Sequence, residues 1–232
     1  RLDFMFYSFD QIINWISLWS FKSSKKSKLP LTIRAVVGKG WGQGPQHAKS
    51  LHTVFAHTPG LQVVMPSTPY DAKGLLIQAI RDDDPVIFCE HKLLYAMTGD
   101  VPDEDYVIPF GEANWLRDGE DLTIIAFSAM VPKALEAADK LAEEGVKCTV
   151  IDPRTTSPLD EESILESAEE TGRVVIVDES TPRCSIASDI SSLIADKAFK
   201  ALKAPIKKVT ASHTPVPFSP SLEPVSYTHL RA

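Results

Sequence analysis

The amino-acid sequence predicts an α/β fold of parallel sheets flanked by helices. Three observations carry that expectation. Short apolar runs alternate with segments of helical period, most plainly across residues 61–65, 68–84 and 85–89. The same alternation resumes beyond an aperiodic stretch at 90–119 and continues to residue 209. Hydrophobic residues make up 44% and charged residues 24%, the balance of a chain with a packed core and a solvated surface. With 232 residues there is room for one large or two ordinary domains. The aperiodic stretch is long for a simple connection, so a boundary is expected within 106–115, dividing the chain into 1–110 and 111–232.

In chain order, residues 4–6 are expected to finish a strand. Residues 10–19 place Ile12, Ile13, Trp15, Ile16 and Trp19 at helical spacing over a broad apolar face, a helix either buried on several sides or set at a subunit interface. This amino end lacks the basic start and small-residue cleavage site of a secretory signal, and it reads as core elements that follow an earlier partner. A strand at 31–37 leads into the loop GKGWGQGPQH, residues 38–47. There Gly40, Gly42 and Gly44 alternate with Lys39, Trp41 and Gln43, Pro45 stiffens the exit, and His47 ends the run. Glycine lets backbone approach a ligand closely or adopt positive φ, and histidine exchanges a proton near neutral pH. The loop therefore has two readings, an active-site loop or a tight surface turn. A helix at 50–56 and a strand at 61–65 come next.

Thr68 suits a helix cap, Pro69 the first helical position and Asp71 the positive end of the helix dipole. Ala72, Leu75, Leu76, Ala79 and Ile80 form one stripe, and the helix ends in RDDD before Pro85. Carboxylates at Asp82, Asp83 and Asp84 stand where the helix end already exposes carbonyl oxygens. This is either a solvated acidic turn or an oxygen cage for a hard cation.

Beyond the boundary, strands are expected at 122–127, 146–151, 174–177 and 206–209, with helices at 129–144 and 185–202 and, led in by residues 158–160, a helix of about ten residues ending near Gly172. Val131, Leu135, Ala138, Leu141 and Ala142 face inward on the first of these helices, and residues 152–157 read as a loop. No dinucleotide fingerprint, phosphate-binding loop or internal repeat is present. The net charge of −7 argues against nucleic acid as a partner, and the basic run at 22–28 reads as a solvated connection. No apolar run approaches the roughly 18 residues of a membrane span. Three cysteines without paired or metal-type spacing suit a reducing compartment, with Cys89 and Cys148 as buried thiols.

Four stretches carry a resemblance: GPQHAKSLHTVFAHTPGLQVVMPSTPYDAKGLL, AIRDDDPVIFCEHKLLY, DPRTTSPLDEESILE and TPVPFS. In these the chain resembles the β subunit of the E1 component of thiamine-diphosphate-dependent acetoin and 2-oxoacid dehydrogenase complexes. DPRTTSPLD, DESTPRCSIASDIS and HTPVPFS are most similar to acetoin dehydrogenase, with the pyruvate enzyme as the alternative. The resemblance implies a partial transketolase-like pyrimidine-binding domain followed by a transketolase carboxy-terminal-like α/β domain. It further implies an α2β2 assembly in a bacterial cytoplasm, with Mg²⁺ and the diphosphate held by α and the aminopyrimidine side by β. Acetoin or a 2-oxoacid would be cleaved beside its carbonyl and the two-carbon acyl unit passed to a lipoyl arm on the acyltransferase E2.

By the same resemblance His47 corresponds to the family's active-site histidine, Phe6 or Phe9 to an aromatic facing the pyrimidine ring, and Leu31, Ala79, Ile80, Asp82 and Asp84 to a potassium site made mainly of backbone oxygens. The chain also departs from the family. Asp84 replaces a usual asparagine, Lys39 and Trp41 replace small residues that line the channel, and Lys49 replaces a glutamine beside His47. The family's cofactor-activating glutamate precedes the matched region and has no counterpart here. VSYTHLRA does not continue the family's ending, where E2 docks. An incomplete subunit with only an assembly role is therefore a third reading, and this chain alone is not expected to turn over.

Overall fold

The structure, a computed structural model, describes residues 1–219 and 221–222; the expectation about VSYTHLRA lies outside them. The first half contains α1 (Trp19–Lys22), β1 (Thr32–Val37), α2 (His52–Ala56), β2 (Gln62–Val64), α3 (Pro69–Arg81) and β3 (Val86–His91). The second contains β4 (Asn114–Arg117), β5 (Leu122–Ala126), α4 (Met130–Glu143), β6 (Cys148–Asp152), β7 (Thr155–Ser157), α5 (Glu161–Thr171), β8 (Val174–Asp178), α6 (Ile186–Lys197) and β9 (Lys207–Thr210).

The strands form two sheets, one in the order β1-β3-β2-β7 and the other β4-β6-β5-β8-β9. Pairing is parallel except at β7 and β4, which close one edge of each sheet antiparallel. The inner parallel strands are mostly apolar because both faces are covered; β6 is buried along its whole length. One continuous core joins the sheets, with Val37, Phe55, Met65 and Ile87 in the same cluster as Ile125, Phe127, Ile164, Ile176 and Ile190.

Helix α3 forms where its signals stand. Asp71 N donates to the Thr68 side chain at 3.0 Å, and Leu75 and Ala79 pack on β2 and β3. Ile80 departs from the expected stripe and is 64% exposed, because the helix end projects past the sheet. Ala142 is likewise exposed at the end of α4, and the helix expected to reach 202 stops at Lys197.

Residues 2–8 are 3-10 helical, not the end of a strand. They have no strand partner here, so their backbone bonds close locally, as in Phe4 N to Arg1 O at 3.2 Å. Residues 11–16 are helical, but only Ile12 among them is buried, while Tyr7, Trp15 and Phe21 are exposed. Burial on several sides is thus not met among the described residues. The expected loop at 152–157 contains β7, which leaves the second half to pair with β2 in the first sheet. Thr-Thr-Ser has no apolar alternation; it becomes a strand because the free edge of β2 accepts it.

Candidate active-site loop and its carboxylate floor

The carboxyl ends of the parallel strands in the two sheets face one another. From the first sheet, β1 runs into the glycine loop, β2 into Pro66-Ser67 and β3 into His91-Lys92. From the second, β5 leads to Ser128, β6 ends at Asp152, and β8 ends at Asp178 with Glu179 next. Ser128 Oγ donates to Pro66 O at 3.2 Å across this junction. Open α/β sheets bind ligands beyond these strand ends.

The loop is built on positive φ at Gly38, Gly40, Trp41, Gly42 and Gly44. Gly38 is obligatory for a second reason: a Cβ there would lie 2.0 Å from His91 Nε2. Lys39 turns inward and is buried, which lowers its ammonium pKa against the opposing pull of Glu179 and Asp178. Trp41 points outward at 60% exposure. Of the two side chains that replace small residues in the family, only Trp41 is thus on the open side. His47 is half-buried, its ring 5.0 Å from that of Phe4 and its carbonyl 3.4 Å from Lys92 Nζ. Lys92 Nζ also donates to Gln43 Oε1 at 3.2 Å, tying β3 to the loop.

Phe6 and Phe9 stack on each other at 5.1 Å and tilt against Phe55. The aromatic in ring contact with His47 is Phe4, which is 44% exposed and which sequence reasoning did not single out. Its signal was the aromatic density of residues 4–9, which could not say which ring reaches the loop.

Beneath the loop lie two buried carboxylates. Glu179 Oε2 accepts Ser50 Oγ at 2.6 Å, the Lys39 amide at 3.2 Å and faces His91 Nε2 at 3.0 Å. Leu93 N donates to His91 Nδ1 at 3.2 Å, which leaves the ring proton on Nε2 toward Glu179. Burial raises the Glu179 pKa, but His91, Ser50 and the Lys39 ammonium outweigh it and hold the carboxyl at about 2. Asp178 faces His52 Nε2 at 3.4 Å, and its pKa is also lowered: burial is outweighed by His52 and by bonds from Ser180. A half-open cavity of about 290 Å³ adjoins this floor, lined in part by Ser67, Thr68, Phe88, Glu90, His91 and Tyr95.

A second polar cluster crosses the junction nearby. Ser67 Oγ donates to Asp152 and lies 3.3 Å from Asp71 Oδ2. Thr68 Oγ1 donates to Asp71 Oδ2 at 2.6 Å, and Arg154 Nη2 pairs with Asp71 Oδ1 at 2.8 Å. Burial raises the Asp152 pKa to about 7, against the Ser67 and Arg154 amide bonds that lower it.

The residues expected around a cation lie about the start of β1 and the end of α3. Thr32 Oγ1 donates to Ala79 O at 2.8 Å, drawing the strand after Leu31 onto the end of α3, and Leu31 O accepts Val86 N at 2.9 Å. The Asp82 carboxylate turns to Gln62 Nε2 at 2.8 Å and the Asp84 amide at 3.0 Å. Among the described residues, no three His, Cys, Asp or Glu side chains are arranged to hold a metal. A cation here would therefore rest largely on backbone oxygens, which retain a second lone pair and suit a hard ion.

Comparison with known proteins follows this geometry. The transketolase pyrimidine-binding domain matches residues 2–98, and the transketolase C-terminal domain matches 111–228. The chain is 56% identical over 222 residues to the β subunit of acetoin:2,6-dichlorophenolindophenol oxidoreductase of Cupriavidus necator, and 51% over 221 residues to that of Bacillus subtilis. The pyruvate dehydrogenase E1 component subunit beta of Bacillus subtilis is 43% identical over 217 residues, or 93% of this chain and 67% of that protein. This chain belongs to the family of transketolase-like dehydrogenase β subunits. It aligns over 96% and 95% of its own length with the two acetoin relatives and spans 66% and 65% of theirs. Among solved structures, a split gene transketolase described as an inactive beta4 tetramer superposes with a TM-score of 0.74 at 26% identity. That match covers 90% of this chain and 64% of the other. Among the described residues, no helix of this family member is long and apolar enough to cross a membrane.

Proposed function

We propose that this chain is the β side of a thiamine-diphosphate-dependent E1 that cleaves acetoin and delivers a two-carbon acyl unit to lipoyl-E2. The observation that carries the proposal is the placement of His47, at the exit of a glycine loop on the carboxyl edge of the first sheet and beside an exposed Phe4 ring. The higher identity to acetoin than to pyruvate relatives, 56% against 43%, favours acetoin as substrate.

The residues present fit the β half of such a site. Thiamine diphosphate, when bound, supplies the electron sink for breaking the bond beside a carbonyl. Phe4 offers a ring face, while Phe6 and Phe9, first expected in that role, back it from the core. The glycine loop lets backbone come close to a ligand, and His47 would hold or deliver a proton at its imidazole. Potassium would sit among Leu31, Ala79, Ile80, Asp82 and Asp84 as a structural brace between β1 and α3. The diphosphate, Mg²⁺ and remaining acid groups would come from an α subunit in an α2β2 assembly. We assign the assembly to a bacterial cytoplasm and the division between the two domains to residues 110 and 111.

The test uses this chain extended at its amino end to the length of its relatives and assembled with an α subunit, thiamine diphosphate and Mg²⁺. Reduction of an artificial acceptor should be faster with acetoin than with pyruvate. A complex that binds the cofactor and turns over neither substrate overturns the proposal. His47→Ala should lower acyl transfer by about 100-fold, with cofactor affinity held within about twofold. A second reading, a subunit with an assembly role only, draws support from the solved neighbour described as an inactive beta4 tetramer. Turnover in the assembled complex excludes it.

A further inference from the structure

We infer that Glu179 is the positioning residue of the His47 loop, pinning both of its roots from the end of β8. This rests on the reading above, in which His47 is the proton-transfer group of this chain. One carboxylate meets the loop on both sides of His47. The Lys39 amide, at the start, lies 3.3 Å from Oε1 and 3.2 Å from Oε2. The Ser50 hydroxyl, three residues beyond His47, donates to Oε2 at 2.6 Å. His91 presses the same carboxylate at 3.0 Å and packs under Gly38, the residue where the loop leaves β1. Asp178, the preceding residue, faces His52 at 3.4 Å, where the chain leaves the loop for α2. The end of β8 thus braces the beginning of the loop, its exit and the helix that follows.

The chemistry requires a carboxylate. Both oxygens face donors, and each accepts without rotation of the group. Glutamine in its place loses the charge and sets an NH₂ against either the Lys39 N–H or the His91 Nε2–H, so the grip on the roots weakens. Aspartate, shorter by one methylene, would not span both roots. A loop with this many positive-φ residues has little helical or sheet bonding of its own, so its order must come from outside. A shift of about 1 Å in a proton-transfer group can cost on the order of 100-fold in rate.

Two measurements test this. The first is amide hydrogen exchange on the whole chain. In Glu179→Gln the amides of residues 39–50 should exchange about tenfold faster, with those of α4 and α5 unchanged. Ser50→Ala, which keeps the carboxylate and the fold, should accelerate the amides near His47 and spare those at 38–40. Unchanged loop exchange in both variants overturns the inference, whatever the function of the chain. The second is a double-mutant cycle in the assembled enzyme. Glu179→Gln should lower kcat about tenfold with KM for acetoin unchanged, and should cost nothing further when His47 is already alanine. Independent, multiplying losses would overturn the inference. If His47→Ala alone leaves turnover intact, the functional reading fails, and the exchange result still decides the positioning.

Discussion

The two carboxylate clusters that join the sheets are equally buried and oppositely poised. At Asp152, loss of solvation dominates and the carboxyl stays near neutrality, with a pKa of about 7. At Glu179 the same loss is overcome by His91, Ser50 and Lys39, and the group is ionised down to about 2. The difference lies in the partners. Asp152 shares one serine hydroxyl with Asp71, and the one guanidinium at hand, Arg154, is paired with Asp71. A proton on Asp152 balances that cluster. Glu179 has an imidazole, a hydroxyl, a backbone amide and a lysine around it. An ionised carboxylate sits under the glycine loop, whereas in the neighbouring seam burial favours the protonated form of Asp152 beside the Asp71–Arg154 pair. Strongly perturbed groups gather where chemistry is done, and here the low-pKa carboxylate, not the raised one, lies against the candidate loop.

The largest effect that separates the two clusters is on stability against pH. The folded-state pKa of Asp152 lies above its ordinary 3.8, so the folded chain holds an extra proton between pH 4 and about 7. Its stabilising contribution is complete below pH 4 and falls by up to roughly 4 kcal/mol as pH rises to 7. Asp152→Asn, which mimics the protonated carboxyl, should flatten that limb in urea titrations taken across this range. The folded-state pKa of Glu179 lies below its ordinary 4.5, so its contribution is complete above pH 4.5 and is lost as pH falls toward 2. Glu179→Gln should remove that acid limb and leave the Asp152 limb in place.

Next in size, Glu179→Ala strands the His91, Ser50 and Lys39 donors and should destabilise the chain by about 3 kcal/mol at pH 7, measured by urea unfolding. Thr68→Ala removes both the cap of α3 and a donor to Asp71. It should cost about 1 kcal/mol and leave the pH limb of Glu179 unaltered.

Most strands were legible as short apolar runs, most plainly at residues 86–89 and 174–177, where both faces are buried; β4 was not, because it is only half-buried and lies in the aperiodic stretch. Helix α3 was legible from Thr68 and Pro69, whose capping chemistry is local. The glycine loop was legible because its positive-φ positions are set locally, while the role of His47 came only from the family resemblance. β7 was not, because Thr-Thr-Ser becomes a strand only when β2, distant in the chain, offers an edge, with Val63 opposite Ser157 and Val64 opposite Thr155. Glu179 and His91 were not, because their bond spans 88 residues; both lie in stretches that carry the family resemblance, yet nothing in either stretch marks them as partners. The available signal was two acids placed directly after the apolar run VVIV, at a strand end where burial is expected. Phe4 was hidden among neighbouring aromatics, since one turn of 3-10 helix decides which ring meets His47.

Carboxyl-carbon NMR titration of the folded chain, with Asp152 and Glu179 assigned through Asp152→Asn and Glu179→Gln, tests the contrast most directly. The Asp152 carboxyl should titrate near pH 7, and the Glu179 carboxyl should stay ionised down to the lowest pH at which the chain remains folded. Titration of Asp152 near 4 together with a Glu179 that takes up its proton near neutral pH would contradict the account.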